Sequence, residues 1–444
     1  MKLNNKRTFF VGFAFLSICA FWQMYDNVVP LILTKTFHMN ETYSGAIMAL
    51  DNIFALFLLP FFGRLSDKTS SKLGKRTPYI IGGTAGAIIL MNILPILDNG
   101  YFDNPTKGKL IAFVIVLGVL LISMGTYRSP AVALMPDVTP KPLRSKANAI
   151  INLMGALGGA IYLALTAVLY PNSKTAGLEH INYQILFIIV AAIMLVSVVL
   201  LVLTIKENKL AAENKALEEA HPEWNLAVDD GSGNEVLPAP VKRSLGFLLA
   251  SIALWFIGYN AVTTWFTTYV NEIMGQGIGG ASTCLLVATV GAIVSYIPIG
   301  IIASKIGRKK TIQFGIILLA VCFALGFVLT TTFKSINVLM FIVFALVGFA
   351  WAAINVNSLP MVVEMCKGSD IGMFTGYYYT ASMAAQVITP ILAGTLMRTV
   401  SYKILFPYAA VFVALSFVTM TQVKHGDAKA EAKVGIEAFE NMDD

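Results

Sequence analysis

Long apolar segments separated by short charged loops constrain this chain more than any other feature. A bilayer core about 30 Å thick is crossed by a helix of about 20 apolar residues, and such windows recur along nearly the whole sequence. A hydrophobic fraction of 57% and a charged fraction of 13% are typical of a polytopic membrane protein, not of a soluble domain. The sequence therefore predicts an all-α membrane protein. Its twelve predicted spans are 8–34, 42–64, 78–97, 109–135, 146–170, 183–205, 244–270, 281–304, 310–332, 337–363, 371–397 and 403–423.

Positive charges collect in one set of loops between these spans. The amino terminus and the loops at 64–77, 136–146, 305–310 and 364–370 hold 16 lysines and arginines, whereas the opposite loops hold seven. Because short basic loops stay on the cytoplasmic side, we expect both termini and the central loop in the cytoplasm. This asymmetry accounts for most of the net charge of +7 and leaves no basic stripe that would bind nucleic acid.

The apolar pattern stops between 206 and 243, where a charged segment precedes residues rich in Gly, Asp and Pro. We interpret 206–243 as a cytoplasmic linker whose first part could extend the sixth span as a solvated helix. The linker divides the chain into an N-terminal six-helix bundle at 1–205 and a C-terminal six-helix bundle at 244–423. Residues 424–444 form a cytoplasmic tail.

The two halves resemble each other at two places. AFWQMYDNVV in span 1 aligns with ALWFIGYNAV in span 7, which places Trp22 on Trp255 and Asp26 on Tyr259. The basic loop GRLSDKTSSKLGKR after span 2 has a shortened counterpart, GIIASKIGRKK, after span 8. The alignment also places Asn27 on Asn260. Internal repeats of this kind are typical of secondary transporters, although the repeated Trp and Asn could serve helix packing alone.

Three ionisable residues lie within predicted spans of the first half: Asp26 in span 1, Asp51 in span 2 and Arg128 in span 4. A charge at this depth costs several kcal/mol unless it faces a cavity or a partner, so such residues are functional candidates. At about 1.5 Å per residue, Asp26 and Asp51 lie about 12–14 Å from the outer helix ends and could meet. Two carboxylates and one guanidinium leave one negative charge, which a proton or Na⁺ could neutralise. We therefore predict proton coupling at both aspartates; structural polar pairing is the alternative.

A sugar site needs aromatic rings to cover the C–H face of a pyranose and polar side chains to bind its hydroxyls. The spans supply both kinds of side chain, and Asp26 and Arg128 would bind substrate with them. Many of the aromatic rings could instead belong to the core or to the interfacial belt. The candidates are Trp22, Tyr25 and Asn27 in span 1, Tyr127 in span 4, Asn148 and Asn152 in span 5, Trp255, Tyr259, Asn260 and Trp265 in span 7, Trp351, Asn355 and Asn357 in span 10, and Tyr378, Tyr379 and Gln386 in span 11.

The most distinctive motifs are GRLSDKTSSKLGKRTPYI after span 2, YRSPAVALMPD in span 4, GFAWAAINVNSLPM in span 10 and FTGYYYTASMAAQVITPILAG in span 11. Together they resemble the Major Facilitator Superfamily, and within it the sucrose-transporter-like branch related to the glycoside-pentoside-hexuronide cation symporters. The resemblance implies two pseudo-symmetric six-helix bundles, a central binding cavity, alternating access and cation-coupled uptake of a glucoside disaccharide. It also favours a monomer.

The resemblance further implies a cytoplasmic gate of charged residues, whose pairs break when the inside opens. Plant sucrose carriers have a membrane aspartate and a binding arginine on span 4, and here those positions hold Leu121 and Val132. Arg128 lies one turn earlier than that arginine, and Asp26 or Asp51 could replace the acid, so the coupling ion and the sugar both stay open. The predicted gate residues are Arg64, Asp67, Lys75, Arg76, Asp137 and Arg144.

We predict a carrier in the cell membrane that imports a disaccharide or glucoside, of the sucrose or maltose type, with a proton. The alternatives are an uncoupled or Na⁺-coupled sugar carrier, a drug or lipid exporter on the same fold, and a membrane enzyme or sugar receptor. No nucleophile with its base, no metal-ligand spacing and no phosphate-binding loop indicates an enzyme. We accordingly expect neither a cofactor nor a bound metal.

Overall fold

The computed structural model describes residues 3–175, 178–221, 238–365 and 371–427. Within these residues, 12 helices are long and apolar enough to cross a membrane, in agreement with the number predicted. We number them as spans 1 to 12 in chain order. They are Asn5–Thr36, Glu41–Asp67, Thr77–Asp103, Lys107–Asp137, Lys146–Leu169, Gln184–Thr204, Ala239–Met274, Ile278–Ile306, Arg308–Thr332, Val338–Val363, Met373–Thr399 and Tyr402–Thr421.

Two spans of the first half are irregular. Span 1 is an α-helix over Asn5–Leu31 and a π-helix over Ile32–Thr36. The wide turn follows Pro30, which has no backbone N–H to give to the regular ladder. Span 2 consists of two helices, Glu41–Met48 and Leu50–Asp67. The second irregularity therefore lies two residues before Asp51.

The described chain forms two compact units. The first contains the helices up to His221 together with Gly277–Gly279, and the second contains the remainder. In the first unit span 1 packs most extensively on span 5, where a Cβ at Gly158 would collide with the carbonyl of Leu16. In the second unit span 7 packs on spans 11 and 12. The bundle bounds 1–205 and 244–423 stay predictions.

The first part of the predicted linker forms a separate helix, Glu207–Ala220, which we call the linker helix. Ile205 and Lys206 are not helical, so it does not extend span 6 as the sequence allowed. One face of the linker helix packs on the first unit, because Glu207 and Asn214 are only 1% and 6% exposed. Residues 222–237 of the linker, 366–370 of one basic loop and 428–444 of the tail lie outside the described residues.

Candidate functional site

The two intramembrane aspartates lie together in the first unit. The carboxylates of Asp26 and Asp51 are within electrostatic range of each other, and Asp51 is within range of Arg128. Asp51 also accepts a hydrogen bond from the amide of Asn52 at 2.8 Å. Both aspartates are half-buried. Neither side chain is therefore packed completely into the core of the unit, although both lie within apolar spans.

Tyr25 connects span 1 to the irregular point of span 2. Its hydroxyl donates towards the carbonyl oxygens of Met48 and Ile47, at 3.3 and 3.4 Å. These carbonyls precede Ala49, where the two helices of span 2 are separated, and an interrupted helix leaves carbonyls that need other donors. Tyr25 is only 1% exposed. Its side chain is thus a contact between helices, immediately beside Asp26.

Arg128 lies over the ring of Trp22, with its guanidinium carbon 5.8 Å from the ring centroid. This distance is within the range of a cation–π interaction. The indole N–H of Trp22 is buried and has no hydrogen-bond partner in the described part of the chain. An unpaired buried donor is costly, so this N–H is a candidate to donate to a group that the described residues do not supply. We call Trp22, Asp26, Asp51 and Arg128 the charged site.

Asn27 and Tyr127 were predicted to bind substrate, but the structure places both in packed core. Each is 0% exposed. The amide of Asn27 donates to the carbonyl of Gln23 at 2.7 Å, and the hydroxyl of Tyr127 lies 2.6 Å from that of Ser17. The bond of Tyr127 thus joins span 4 to span 1, whereas that of Asn27 stays within span 1. A role of either residue in substrate binding stays a prediction.

The second unit contains a cluster of aromatic rings. Tyr259 and Trp351 stack with centroids 3.7 Å apart and an interplanar angle of 5°. Phe256 meets the edge of Trp351 at 5.3 Å and lies 6.5 Å from Tyr378. Phe256 was not predicted, although it lies three residues before Tyr259, a spacing that places two side chains on one helical face. We call Phe256, Tyr259, Trp351 and Tyr378 the aromatic cluster.

Polar groups accompany the aromatic cluster. The hydroxyl of Tyr378 donates to the amide oxygen of Asn355 at 3.5 Å. The amide nitrogen of Asn260 and the indole N–H of Trp255 are buried without hydrogen-bond partners among the described residues. The internal repeat aligns Trp22 with Trp255. In each of these two residues the indole N–H has no hydrogen-bond partner among the described residues.

The other predicted binding residues divide into two groups. Trp265 donates to the carbonyl of Pro390 at 3.2 Å, and Asn357 donates to that of Ala353 at 2.9 Å, so both serve packing. For the remaining residues, a role in substrate binding stays a prediction. Of these, Asn148 and Gln386 are half-buried, Asn152 is 8% exposed and Tyr379 is 42% exposed.

Four predicted gate residues form one network beside the loop between spans 2 and 3. Arg76 is 5% exposed and donates to Asp137 at 2.8 Å and to Asp67. The ammonium of Lys75 lies 3.2 Å from Asp137 and 3.9 Å from Asp67. Since Asp67 ends span 2 and Asp137 ends span 4, these ion pairs fasten the ends of spans 2 and 4 to the start of span 3.

The other two predicted gate residues lie outside this network. Arg64 is exposed. Arg144 donates to the carbonyl of Thr139 at 3.1 Å and to the carboxylate of Glu218 at 2.9 Å. Arg144 thus attaches the linker helix to the first unit, a partner that sequence reasoning about the spans did not consider.

Glu207, at the start of the linker helix, was also missed by sequence reasoning. Its carboxylate accepts hydrogen bonds from the backbone N–H groups of Lys75, Arg76 and Thr77 and from the Thr77 hydroxyl, between 2.7 and 2.9 Å. In a run of charged residues an acid normally points into water, so the sequence carried no signal for this contact. Glu207 therefore caps the first turn of span 3.

A buried acid also lies near the opposite end of span 3. Asp98 is 0% exposed, and neither carboxylate oxygen makes a hydrogen bond of good geometry among the described residues, although the hydroxyl of Thr36 lies close enough to interact with the carboxylate. Nε2 of His180 is 3.8 Å from Asp98 and pairs with Asn99 at 2.8 Å. Burial lowers the pKa of His180, although the charge of Asp103 acts in the opposite direction. The ring is therefore neutral near pH 7 and compensates little of a charge on Asp98.

We expect Asp98→Asn to raise the Tm of the purified protein by about 3 °C at neutral pH. An amide of the same shape removes the cost of a buried carboxylate that lacks donors of good geometry. Thermal unfolding in detergent measures this change. Asp103→Asn is the control, because Asp103 is exposed at the end of the same span. A lower Tm for Asp98→Asn would mean that the carboxylate is stabilised, for example by a protonated His180.

Comparisons with known proteins place the chain among membrane transporters. It matches the family model of the Major Facilitator Superfamily over residues 11–296 and 276–437. It is 23% identical to Multidrug resistance protein 2 of Bacillus subtilis, over 97% of this chain and 99% of that protein. It is 26% identical to Sucrose transport protein SUC4 of Arabidopsis thaliana, over 66% of this chain and 62% of that protein.

Solved structures of transporters share the fold. The inward open xylose transporter XylE from E. coli has a TM-score of 0.69 at 15% identity, covering 99% of this chain and 98% of that chain. The nucleoside transporter NupG has a TM-score of 0.64 at 16% identity, covering 95% and 100%. Identities this low speak for the fold alone. The predicted all-α fold with twelve spans is thus confirmed.

Proposed function

The chain belongs to the Major Facilitator Superfamily, and we propose that this membrane transporter imports a disaccharide or glucoside with a proton by alternating access. The proposal depends above all on the charged site, where Asp26, Asp51 and Arg128 lie within electrostatic range inside the spans. Two acids and one arginine leave one uncompensated negative charge, which is costly at this depth. A proton on Asp26, shared with Asp51, removes that charge.

Proton binding is coupled to the conformational change in this proposal. A ligand shifts a conformational equilibrium only as far as it binds one state better than the other. The deprotonated charged site opposes closure of the carrier around it, and the protonated, sugar-loaded site permits closure. Tyr25, the residue before Asp26, joins span 1 to the irregular point of span 2, where the helix bends more readily than in a regular stretch.

A sugar is supported as the substrate by the mixture of rings and donors in both units. The half-buried ring of Tyr259, stacked on Trp351, offers an apolar surface for a pyranose. The unused donors of Trp22, Trp255 and Asn260 suit hydroxyl or ring oxygens. The similarity to a protein named as a sucrose transport protein agrees with this choice. Sugars of the sucrose or maltose type are therefore the first to test.

The proposed orientation follows from charge. The loops that carry most of the lysines and arginines lie in the cytoplasm of a cell whose plasma membrane holds the protein, so both termini and the linker are cytoplasmic. The network of Arg76, Lys75, Asp67 and Asp137 then lies at the inner end of the first unit and acts as part of the cytoplasmic gate. The working form is a monomer.

Uptake of labelled sucrose and maltose into proteoliposomes tests the proposed function. Accumulation driven by an inward proton gradient, and abolished by a protonophore, would support it. Equal uptake with and without the gradient would indicate an uncoupled sugar carrier, and dependence on an Na⁺ gradient would indicate Na⁺ coupling. Absence of uptake of any glycoside under either gradient would contradict a sugar importer. Liposomes without protein correct for leakage.

We expect Tyr259→Ala to raise the KM for sugar about tenfold, since loss of a stacking ring costs about 1.5 kcal/mol. Tyr259→Phe keeps the ring and should keep the KM within about twofold, because the Tyr259 ring, rather than its hydroxyl, covers the sugar. Initial uptake rates over a range of sugar concentrations measure both values. Equal KM values for all three proteins would remove Tyr259 from the sugar site.

A drug exporter is the second candidate, favoured by the similarity to Multidrug resistance protein 2 along 97% of this chain. The aromatic cluster could bind a flat apolar cation as well as a sugar. Competition separates the two functions. Inhibition of labelled-sugar binding by unlabelled glucosides, but not by lipophilic cations, favours the importer; proton-driven loss of a fluorescent cation from cells favours the exporter.

A further inference from the structure

The loop before span 3 has a specific backbone shape that a carboxylate completes. Gly74 has φ of +122°, a conformation that residues with a side chain rarely adopt. A Cβ at Gly74 would also collide with the carboxylate of Glu207. The N–H groups of the next three residues all donate to Glu207. The glycine and the acid are therefore fitted to each other.

The second unit contains a similar arrangement before span 9, with one backbone donor to the acid instead of three. Gly307 has φ of +93°, and a Cβ there would lie 3.0 Å from the carboxylate of Asp427. Asp427 accepts a hydrogen bond from the backbone N–H of Lys309 at 2.9 Å. The motifs GKR at 74–76 and GRK at 307–309 are counterparts in the internal repeat. Glu207 and Asp427 thus occupy equivalent positions, each just after the last span of its own unit.

The basic residue after each glycine reaches an acid at the end of the fourth span of its unit. Lys75 pairs with Asp137, the last residue of span 4, at 3.2 Å. Arg308 pairs with Glu364, the residue that follows span 10. Each unit therefore combines a left-handed glycine, a basic residue, an acid of the fourth span and a carboxylate from beyond the sixth. Such a fourfold match is not expected from packing by chance.

We propose that Glu207 and Asp427 are a matched pair of positioning residues, which we call the loop clamps. Each clamp holds the basic loop of its own unit in the shape that directs the basic side chain to the acid of the fourth span. A carboxylate suits this task, because the first N–H groups of a helix lack partners and the helix dipole favours a negative charge there. The linker helix and the start of the tail thus have the same role, since each supplies a carboxylate to the basic loop of its own unit.

The consequence for transport rests on the proposed function. The charged network of the inner gate must break and re-form in each cycle, and a loop without its clamp re-forms it slowly. The clamps contact neither the charged site nor the aromatic cluster among the described residues. Removing a clamp should therefore lower the maximal rate of sugar uptake and leave the KM unchanged.

Hydrogen–deuterium exchange of the purified full-length protein tests the clamps without any substrate. Glu207→Gln should make the amides of residues 75–77 exchange about tenfold faster, the effect of losing a hydrogen bond to a charged acceptor. Asp427→Asn should do the same at Lys309 and leave 75–77 unchanged. Glu213→Gln is the control, because Glu213 is exposed on the linker helix and pairs only weakly with Lys209 at 3.9 Å. Unchanged exchange at 75–77 in Glu207→Gln would overturn the proposal.

Uptake kinetics supply the second test. We expect the maximal rate of uptake to fall about threefold or more in Glu207→Gln and Asp427→Asn, with KM constant, and to stay unchanged in Glu213→Gln. This result would support the role of the clamps in positioning the basic loops. Faster exchange with unaltered uptake would overturn it, since the clamps would then be structural alone. If the wild-type protein transported no sugar, the proposed function would fail, and the exchange experiment would still decide whether the clamps exist.

Thr77→Val gives a milder variant in case Glu207→Gln does not fold. Valine keeps the shape of threonine but removes the hydroxyl that donates to Glu207 at 2.7 Å. Exchange at 75–77 should rise by a factor of about three, in the same direction as for Glu207→Gln. If Glu207→Gln does not fold, no rise in a folded Thr77→Val protein would by itself reject the clamp of the first unit.

Discussion

Proteoliposomes containing Asp26→Asn should accumulate no sugar against a gradient, while sugar binding and exchange continue. One pH unit stores about 1.4 kcal/mol per proton, enough for about tenfold accumulation at one proton per sugar. Asparagine cannot take up a proton, and it leaves the charged site permanently neutral. We therefore expect the accumulation ratio to fall from about ten to about one at a gradient of one pH unit. Steady-state accumulation and counterflow exchange are the two measurements.

Two further variants make the result for Asp26 specific. Asp51→Asn tests the neighbouring acid: if it alone abolishes accumulation, the proton belongs to Asp51 and our assignment to Asp26 is wrong. Asp103→Asn makes the same chemical change at an exposed position and should accumulate sugar normally. Full accumulation by Asp26→Asn would exclude a coupling role for that residue.

Replacement of Arg76 by alanine should be the most destabilising single change in the first unit. Arg76 is 5% exposed, and its guanidinium donates to Asp67, Asp137 and the hydroxyl of Ser66. Removing the buried arginine leaves Asp67 and Asp137 with Lys75 as their remaining cation. The cost is about 3 kcal/mol, the lower end of the usual range, because this pairing persists and solvent reaches Asp67. We expect the Tm to fall by about 6–12 °C.

Arg76→Lys is the informative control. Lysine keeps the charge but cannot donate to three groups at once from a planar fork. Its Tm should lie between those of the wild type and Arg76→Ala. Thermal unfolding of the three proteins in one detergent compares them directly. An Arg76→Ala protein as stable as the wild type would show that the network does not stabilise the fold.

The number and order of the spans could be predicted because apolar length decides them, but their ends could not. Span 3 was predicted to end at 97 and continues to Asp103, because Asp98 is buried in the helix instead of ending it. Span 7 was predicted to begin at 244 and begins at Ala239, because its first turn carries Lys242 and Arg243 in helical form. A charge ends an apolar window, whereas a helix ends only where its hydrogen-bond ladder does.

Sequence reasoning could select candidate residues by their charge, but it could not tell which way each side chain points. Asp26 and Asp51 were found because a carboxylate within an apolar span is rare. Asn27 follows Asp26 in the sequence, yet adjacent residues of a helix point about 100° apart, and Asn27 faces the packed core. Glu207 could not be found at all, since only the folded loop shows that its backbone N–H groups need an acceptor.

The contacts of the linker helix also determine where the polypeptide can be divided, or extended by a tag, without losing them. Glu207 belongs to the first unit by its contacts although it follows the last span of that unit. If the chain is expressed as two polypeptides with the division between 222 and 237, each polypeptide keeps the carboxylate that binds its own basic loop. A division at 205 would instead place Glu207 on the second polypeptide, apart from the loop that it binds. Fluorescent proteins and affinity tags therefore belong after residue 221 or beyond Asp427, not before them.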